Sequence, residues 1–184
     1  WDIYKFHNKE VDLEKNKASI IKVSSDERVR DDQFIFTGDI VYNLTSETKE
    51  DLGKAVVIKN QTWEKFIAGT ETTIMRVLDH NFVCPSFLNY ILMTCNYLRE
   101  FKKSITGTKV YRVHPKMISK IKIPVPYKDW NPDLDKQKEI VQVLDKFDTL
   151  VNDISEWLPA EKEARRQQYE YYREKLLTFK ELKL

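Results

Sequence analysis

The sequence predicts an α+β protein: a small, twisted, β-rich unit with a few helices, followed by a long C-terminal helical, coiled-coil-like spacer. Three observations carry this. Short β-prone runs separated by polar turns occupy the first part of the chain, as in Ile40-Val41-Tyr42-Asn43-Leu44 and Lys54 to Lys59. Ile123-Pro124-Val125-Pro126 is stiff and extended, because each proline fixes its own φ and keeps the residue before it out of the helical region. From Asp133 the period changes: Ile140, Val143, Leu144, Phe147 and Leu150 recur at helical spacing among Glu, Asp, Lys and Gln. Two units are therefore expected, 1–130 and 131–184.

Taken in order, residues 1–17 carry little pattern, and Ala18 to Val23 reads as a strand. Asp26 to Asp32 is a charged turn. Phe34-Ile35-Phe36 then leads through Thr37-Gly38-Asp39 into the strand Ile40 to Leu44. A polar loop ends at Gly53, and strands follow at Lys54 to Lys59, Lys65 to Ala68 and Thr73 to Leu78. Pro85 to Phe101 is predicted as one helix with Phe87, Tyr90, Ile91, Thr94, Cys95 and Leu98 on one face. The loop Ser104 to Lys109, a strand Val110 to Val113 and a helical turn Pro115 to Ser119 complete the first unit. In the second unit a helix from Asp133 breaks near Phe147-Asp148, and a long polar helix runs from Thr149 to Phe179. At 1.5 Å per residue such a helix reaches about 45 Å. Pro159 kinks or restarts it, with Ser155 as the candidate cap.

The 184 residues carry a net charge of +2, and that small figure hides an asymmetry. Residues 1–130 hold 21 Lys and Arg against 17 Asp and Glu, whereas 131–184 hold 10 against 12. Arg99 to Lys122 holds eight basic residues and one acidic one, Glu100, a footprint suited to phosphate or, more blandly, a solvated basic face. No apolar run reaches membrane-spanning length and Trp1 to Tyr4 shows no signal pattern, so no membrane partner is expected. A first residue other than Met reads as a fragment or a trimmed chain. Cys84 and Cys95 form no framework, which predicts buried thiols in a reduced, cytoplasmic protein.

Catalytic signatures are argued mainly by absence. The four glycines, Gly38, Gly53, Gly69 and Gly107, are isolated, so no phosphate-cradling loop or dinucleotide fingerprint forms. Asn131-Pro132-Asp133-Leu134 matches only the first half of an amino-methyltransferase tetrapeptide. Asp133, Asp135 and Lys136 invite a nuclease reading, but that chemistry needs carboxylates converging from separate elements. At a helix start these acids are better explained as a cap and as dipole partners. His7, His80 and His114 lack partners at metal-ligand spacing.

Two loops have the chemistry of duplex readout, which needs Arg, Lys, Asn, Gln, Ser or Thr where side chains reach base edges or phosphates. The first carries Asn43, Thr45, Ser46 and Lys49, with Lys54 across the hairpin. The second carries Thr106, Thr108, Lys109, Tyr111 and Arg112, with Lys102 and Lys103 in the same basic stretch. Arg28, Arg30 and the Gly69 to Thr73 turn are weaker candidates. Solvated polar loops have the same composition. In the second unit, Phe147, Leu150, Ile154, Trp157 and Leu158 on one side and Tyr172, Leu176 and Phe179 on the other mark candidate helix interfaces that need a second helix to cover them.

The order Ile-Pro-Val-Pro, Gln137-Lys138-Glu139-Ile140-Val141, Leu144-Asp145-Lys146-Phe147-Asp148, Leu158-Pro159-Ala160-Glu161 and Arg166 through Leu177 resembles the conserved region of specificity (S) subunits of type I restriction–modification enzymes. Tyr127 to Asp135 is longer than that family's usual link. Gly38-Asp39-Ile40-Val41-Tyr42 and Gly53-Lys54-Ala55-Val56-Val57-Ile58 are similar to its target recognition domain, whose opening strand is not evident here. The resemblance implies one recognition domain and one helical spacer of a non-catalytic subunit that binds double-stranded DNA and directs adenine methylation and restriction to a bipartite site. It also implies docking to a modification methyltransferase subunit that uses S-adenosylmethionine and association with a restriction subunit that uses ATP, with no cofactor in this chain. The resemblance implies that the chain is either half of a full two-unit subunit or a half-sized version that forms a homodimer through antiparallel C-terminal helices. The alternative is a structural or interaction protein that dimerises through its C-terminal helices without binding DNA. A specificity chain of a system that fuses methylation and cleavage fits the same motifs.

Overall fold

The computed structural model describes residues 10–20, 28–62, 64–69, 72–153 and 159–178. Strands β1 (Glu10–Asp12), β2 (Phe34–Ile35), β3 (Ile40–Asn43), β4 (Thr45–Ser46), β5 (Ala55–Lys59), β6 (Phe66–Ile67) and β7 (Thr72–Met75) precede helices α1 (Pro85–Leu92) and α2 (Cys95–Lys102). Then come β8 (Tyr111–Arg112), α3 (Pro115–Ile118), β9 (Tyr127–Lys128), β10 (Asn131–Pro132), α4 (Leu134–Asp153) and α5 (Pro159–Leu177).

A four-stranded sheet in the order β1-β5-β3-β7 forms the centre, with β1 parallel to β5 and the other pairs antiparallel. All four residues of β3 are buried because both faces of the sheet are covered, which is why the strand reads as an unbroken apolar run. The period of two sorts its side chains. Ile40 and Tyr42, with Ala55 and Val57, join the core that the helices fill. Val41, Val56 and Ile58 face a second core with Val11, Leu13, Ile35 and Ala68. The sequence gives no sign of β1, a three-residue edge strand with a single apolar position that borrows its register from β5. Where a strand was expected, Lys17–Ser19 form a short 3-10 turn; residues 21–23 lie outside the described set. Asp12 starts that turn by accepting the backbone N–H groups of Glu14 and Lys15.

The helix expected over Pro85 to Phe101 is two helices. Thr94 divides them: its hydroxyl accepts the N–H of Tyr97 at 3.3 Å and donates to the Ile91 carbonyl at 2.8 Å. A threonine offering these local bonds favours a cap over a helix interior. The same N-terminus receives Glu174 of α5, whose Oε1 accepts the Cys95 N–H at 2.8 Å. Cys84 is half-buried and Cys95 exposed, so the thiols are less enclosed than the sequence suggested.

Asp133 Oδ1 accepts the N–H of Lys136 at 2.8 Å and so caps α4. The helix passes Phe147 and Asp148 without a break, because no glycine or proline interrupts it there. α5 runs back along α4: Tyr172 meets Phe147, and Leu177 near the end of α5 enters the same core as Ile140 near the start of α4. Phe147 stacks on Tyr172 with centroids 5.6 Å apart, giving Tyr172 a partner within its own chain. Ile140 and Leu144 of α4 and Tyr169 and Leu177 of α5 enter the same core as Tyr42, Phe87 and Phe101.

Two latches fix the Gly38 end of the sheet. Arg76 grips the buried Asp39 in a bidentate pair with both contacts at 2.7 Å, and also donates to the Phe34 carbonyl. The hydrogen bonding to Asp39 raises the guanidinium pKa above its ordinary value. Gln137 is fully buried. Its Nε2 donates to the Phe82 carbonyl at 3.0 Å and its Oε1 accepts the Cys84 N–H at 2.8 Å, tying α4 to the approach to α1.

Candidate nucleic-acid interface

At the opposite end of β3 the chain leaves the sheet and forms a two-stranded antiparallel ribbon from β4 and β8. Thr45 faces Arg112 and Ser46 faces Tyr111. Val113 N–H donates to the Leu44 carbonyl at 2.9 Å, anchoring the ribbon to β3. The two polar loops singled out in the sequence are thereby one structural feature. Lys49 Nζ lies 5.0 Å from the centroid of the Tyr111 ring, linking the loops through a cation–π contact.

The first loop is built around Asn43. Its Nδ2 donates to the Asp51 carbonyl at 2.8 Å and its backbone exchanges bonds with Gly53 and Lys54. Gly53, at φ +85°, turns the chain back beneath Leu98 and Phe101. Lys54 and Thr48 both bind the Asp51 carboxylate, and these contacts, Lys54 first, hold its pKa below the usual carboxylate value. Asn43 and Ser46 are buried frame residues, Thr45 is half-buried, and Lys49 and Lys54 are exposed.

The second loop closes through paired 2.9 Å bonds between the backbones of Thr106 and Arg112. Gly107, at φ +97°, makes the tip possible: a Cβ there would lie 2.1 Å from the Val110 carbonyl oxygen. Thr106, Thr108, Lys109 and Arg112 are exposed, and Tyr111 is half-buried. Among the described residues, the side chains of Lys109 and Arg112 make no ion pair. Lys102 and Lys103 stand exposed at the C-terminal end of α2, where the helix dipole favours cations, and Lys103 pairs with Glu100 at 2.7 Å.

A cleft of about 580 Å³ lies along the outer edge of β7, lined by Arg28, Arg30, Gln33, Gly69, Thr72 and Thr73 among others. Thr72 pairs with Asn43, so the cleft opens toward the end of the sheet from which the ribbon departs. The sequence named its arginines and its turn separately, and only tertiary pairing shows that they share a wall.

Of the helix-interface candidates, Phe147 and Leu176 pack on the main core, Tyr172 lies against Phe147, and Leu150 is 51 % exposed. Ile154, Trp157, Leu158 and Phe179 lie outside the described residues. Among the described residues no three His, Cys, Asp or Glu side chains cluster to hold a metal, and no helix is long and apolar enough to cross a membrane. Sequence reasoning missed Arg76 and treated Gln137 only as part of a motif. No local pattern links Arg76 to Asp39; the glutamine between charged neighbours at a buried helical position was the one available clue.

Residues 3–164 match the type I restriction modification DNA specificity domain. The chain belongs to that family, the family of S subunits. It is 33 % identical over 135 residues to the specificity subunit of the Escherichia coli type I restriction enzyme EcoR124I/EcoR124II, covering 68 % of this chain and 31 % of that protein. It is 42 % identical over 73 residues to a putative type I specificity subunit of Haemophilus influenzae, covering 40 % and 17 % of the two chains. The E. coli EcoprrI specificity subunit is 38 % identical over 121 residues, which are 59 % of this chain and 30 % of the relative. The crystal structure of the S subunit of a type I restriction–modification system from M. genitalium aligns over 82 % of this chain and 34 % of that one, with 15 % identity and a TM-score of 0.49. The chain thus spans about a third or less of the length of these relatives.

Proposed function

We propose that this chain is a DNA-reading portion of an S subunit, with residues 1–130 as the recognition unit and 131–184 as the helical docking unit. The observation that carries the reading is the β4–β8 ribbon, which unites both polar loops at one end of the sheet. A major groove about 12 Å wide admits a two-stranded ribbon. Lys109 and Arg112 at its exposed edge offer charge to phosphates and donors to base edges, while the Thr106 and Thr108 hydroxyls donate or accept. The buried Asn43 holds the frame that presents them.

The chain supplies the address and partner subunits supply the chemistry. A modification methyltransferase subunit carries S-adenosylmethionine and methylates adenine, and a restriction subunit carries ATP. The DNA site is bipartite. A half-sized S subunit pairs with a second copy through its helices and reads a palindromic split site, because an isologous dimer presents the same reader twice. All of these components work in the cytoplasm.

Fluorescence anisotropy on a labelled duplex across a salt series tests the interface. Lys109→Glu with Arg112→Glu is expected to weaken binding at least tenfold and to reduce the logarithmic salt slope by about two, one counterion step for each lost phosphate contact. Unchanged affinity and slope would contradict the interface and favour the alternative of an interaction protein with no DNA role.

A further inference from the structure

The β9–β10 hairpin places a bulky side chain where the backbone tolerates it least. Asp129 and Trp130 form its two-residue turn, with φ 50° and 64°. Such a turn favours Asn-Gly or Asp-Gly because both central residues are left-handed. Aspartate adapts to that conformation, whereas tryptophan has no local bond to offset it. No packing offsets it either: Trp130 is 80 % exposed. Strain at an exposed aromatic residue points to a role outside the fold.

The platform beneath it is rigid. Asn131 Nδ2 donates to the Asp129 carbonyl at 3.0 Å, and Asp133 N–H donates to Pro126 at 2.8 Å. Tyr127 meets Phe82 edge to face with centroids 6.4 Å apart, and Gln137 ties Phe82 to α4. Tyr127 and Phe82 remain 43 % and 41 % exposed, so the hairpin that carries Trp130 also leaves this aromatic pair open to solvent near the start of α4. Around it Asp79, Asp129, Asp133, Asp135 and Glu139 stand against Lys128, Lys136 and Lys138, with Lys136 paired to Glu139 at 2.9 Å, which leaves a modest net negative rim. The hairpin also lies toward the Gly38 end of β3, where His80 and Pro85 pack, whereas the ribbon leaves from the Asn43 end. Acidic charge and this placement oppose a DNA occupant and favour a protein that brings basic side chains around an apolar socket.

We propose that Trp130 anchors a protein-docking surface for the modification methyltransferase subunit, its indole entering an apolar socket rimmed by Lys or Arg. The choice of partner rests on the function proposed above; the surface itself rests on the hairpin. Exposed tryptophans seated in partner pockets are the residues that most often dominate interface energetics.

Trp130→Gly separates docking from folding, because glycine relieves the left-handed turn as it removes the indole. With the full chain, calorimetric titration against the purified methyltransferase subunit is expected to show at least about tenfold weaker binding. The denaturant midpoint should hold or rise, and duplex affinity should not change. A lower midpoint would overturn the proposal by making Trp130 structural. An unchanged methyltransferase Kd would also overturn it, as would a loss confined to self-association or to DNA binding, which would assign the hairpin to a second copy or to the duplex. If the wild-type chain fails to bind the methyltransferase subunit, the proposed partner falls with the functional reading. Binding that survives Trp130→Gly removes only the docking site.

Discussion

Tyr90 of α1 donates its hydroxyl hydrogen to Asp145 Oδ1 of α4 at 2.5 Å. The bond joins the β-rich unit to the helix pair inside a shared core, where Tyr90 is 1 % exposed. A buried hydrogen bond to a charged group is worth about 1.5–3 kcal/mol. Tyr90→Phe is expected to lower unfolding free energy by about 2 kcal/mol in urea titrations. Tyr171→Phe, at a 61 % exposed position, should stay within about 0.5 kcal/mol of wild type.

Burial also sets an alkaline limit. Desolvation is the first cause that raises the phenol pKa of Tyr42, Tyr90 and Tyr97, and it pushes Tyr169 up to about 12 from 10.0. Because the folded pKa lies above the unfolded value, this contribution is fully present below about pH 10 and is lost as the pH rises toward about 12. Denaturant midpoints measured from pH 8 upward should therefore be insensitive to these tyrosines below about pH 10 and fall beyond it. A midpoint that stays level to about pH 12 would contradict the assignment.

The Asp39–Arg76 pair holds the turn before β3. Arg76→Ala leaves a carboxylate whose side chain is 3 % exposed without its bidentate partner. Breaking a fully buried pair costs about 3–5 kcal/mol; because the arginine is 41 % exposed, we expect about 2–3 kcal/mol, measured by chemical denaturation.

Gly107→Ala tests the ribbon tip. The added methyl group meets the Val110 carbonyl oxygen, and the positive φ strains any replacement, so the tip should open at a local cost of about 1–3 kcal/mol. Amide exchange at Thr106 and Arg112 should accelerate while β3 and β5 stay protected, and duplex affinity should fall.

Much of the fold was legible where the signal was local. The β3 and β5 runs, the Pro-Val-Pro exit, the Asp133 cap and the helical period from Ile140 all follow from backbone preferences that act within a few residues. The failures are non-local. β1 exists because β5 offers an edge, and the helix at Pro85 divides because Thr94 and Glu174 together satisfy the start of α2. The return of α5 along α4 depends on Tyr172 finding Phe147, which no periodicity within α5 reveals. Polar composition likewise nominated Asn43 and Lys109 equally, and only burial separates a frame residue from an exposed one. Left-handed backbone at Trp130 has no sequence signature, since the turn type that imposes it normally announces itself with glycine.

The specificity role is tested most directly by co-expressing the full chain with the methyltransferase subunit from its own operon and sequencing host DNA for N6-methyladenine. A split motif that appears only when the chain is present, and disappears with Lys109→Glu and Arg112→Glu, is the predicted result; a palindromic motif identifies the homodimer. Methylation that is absent, or that ignores both the chain and the two substitutions, would contradict the account.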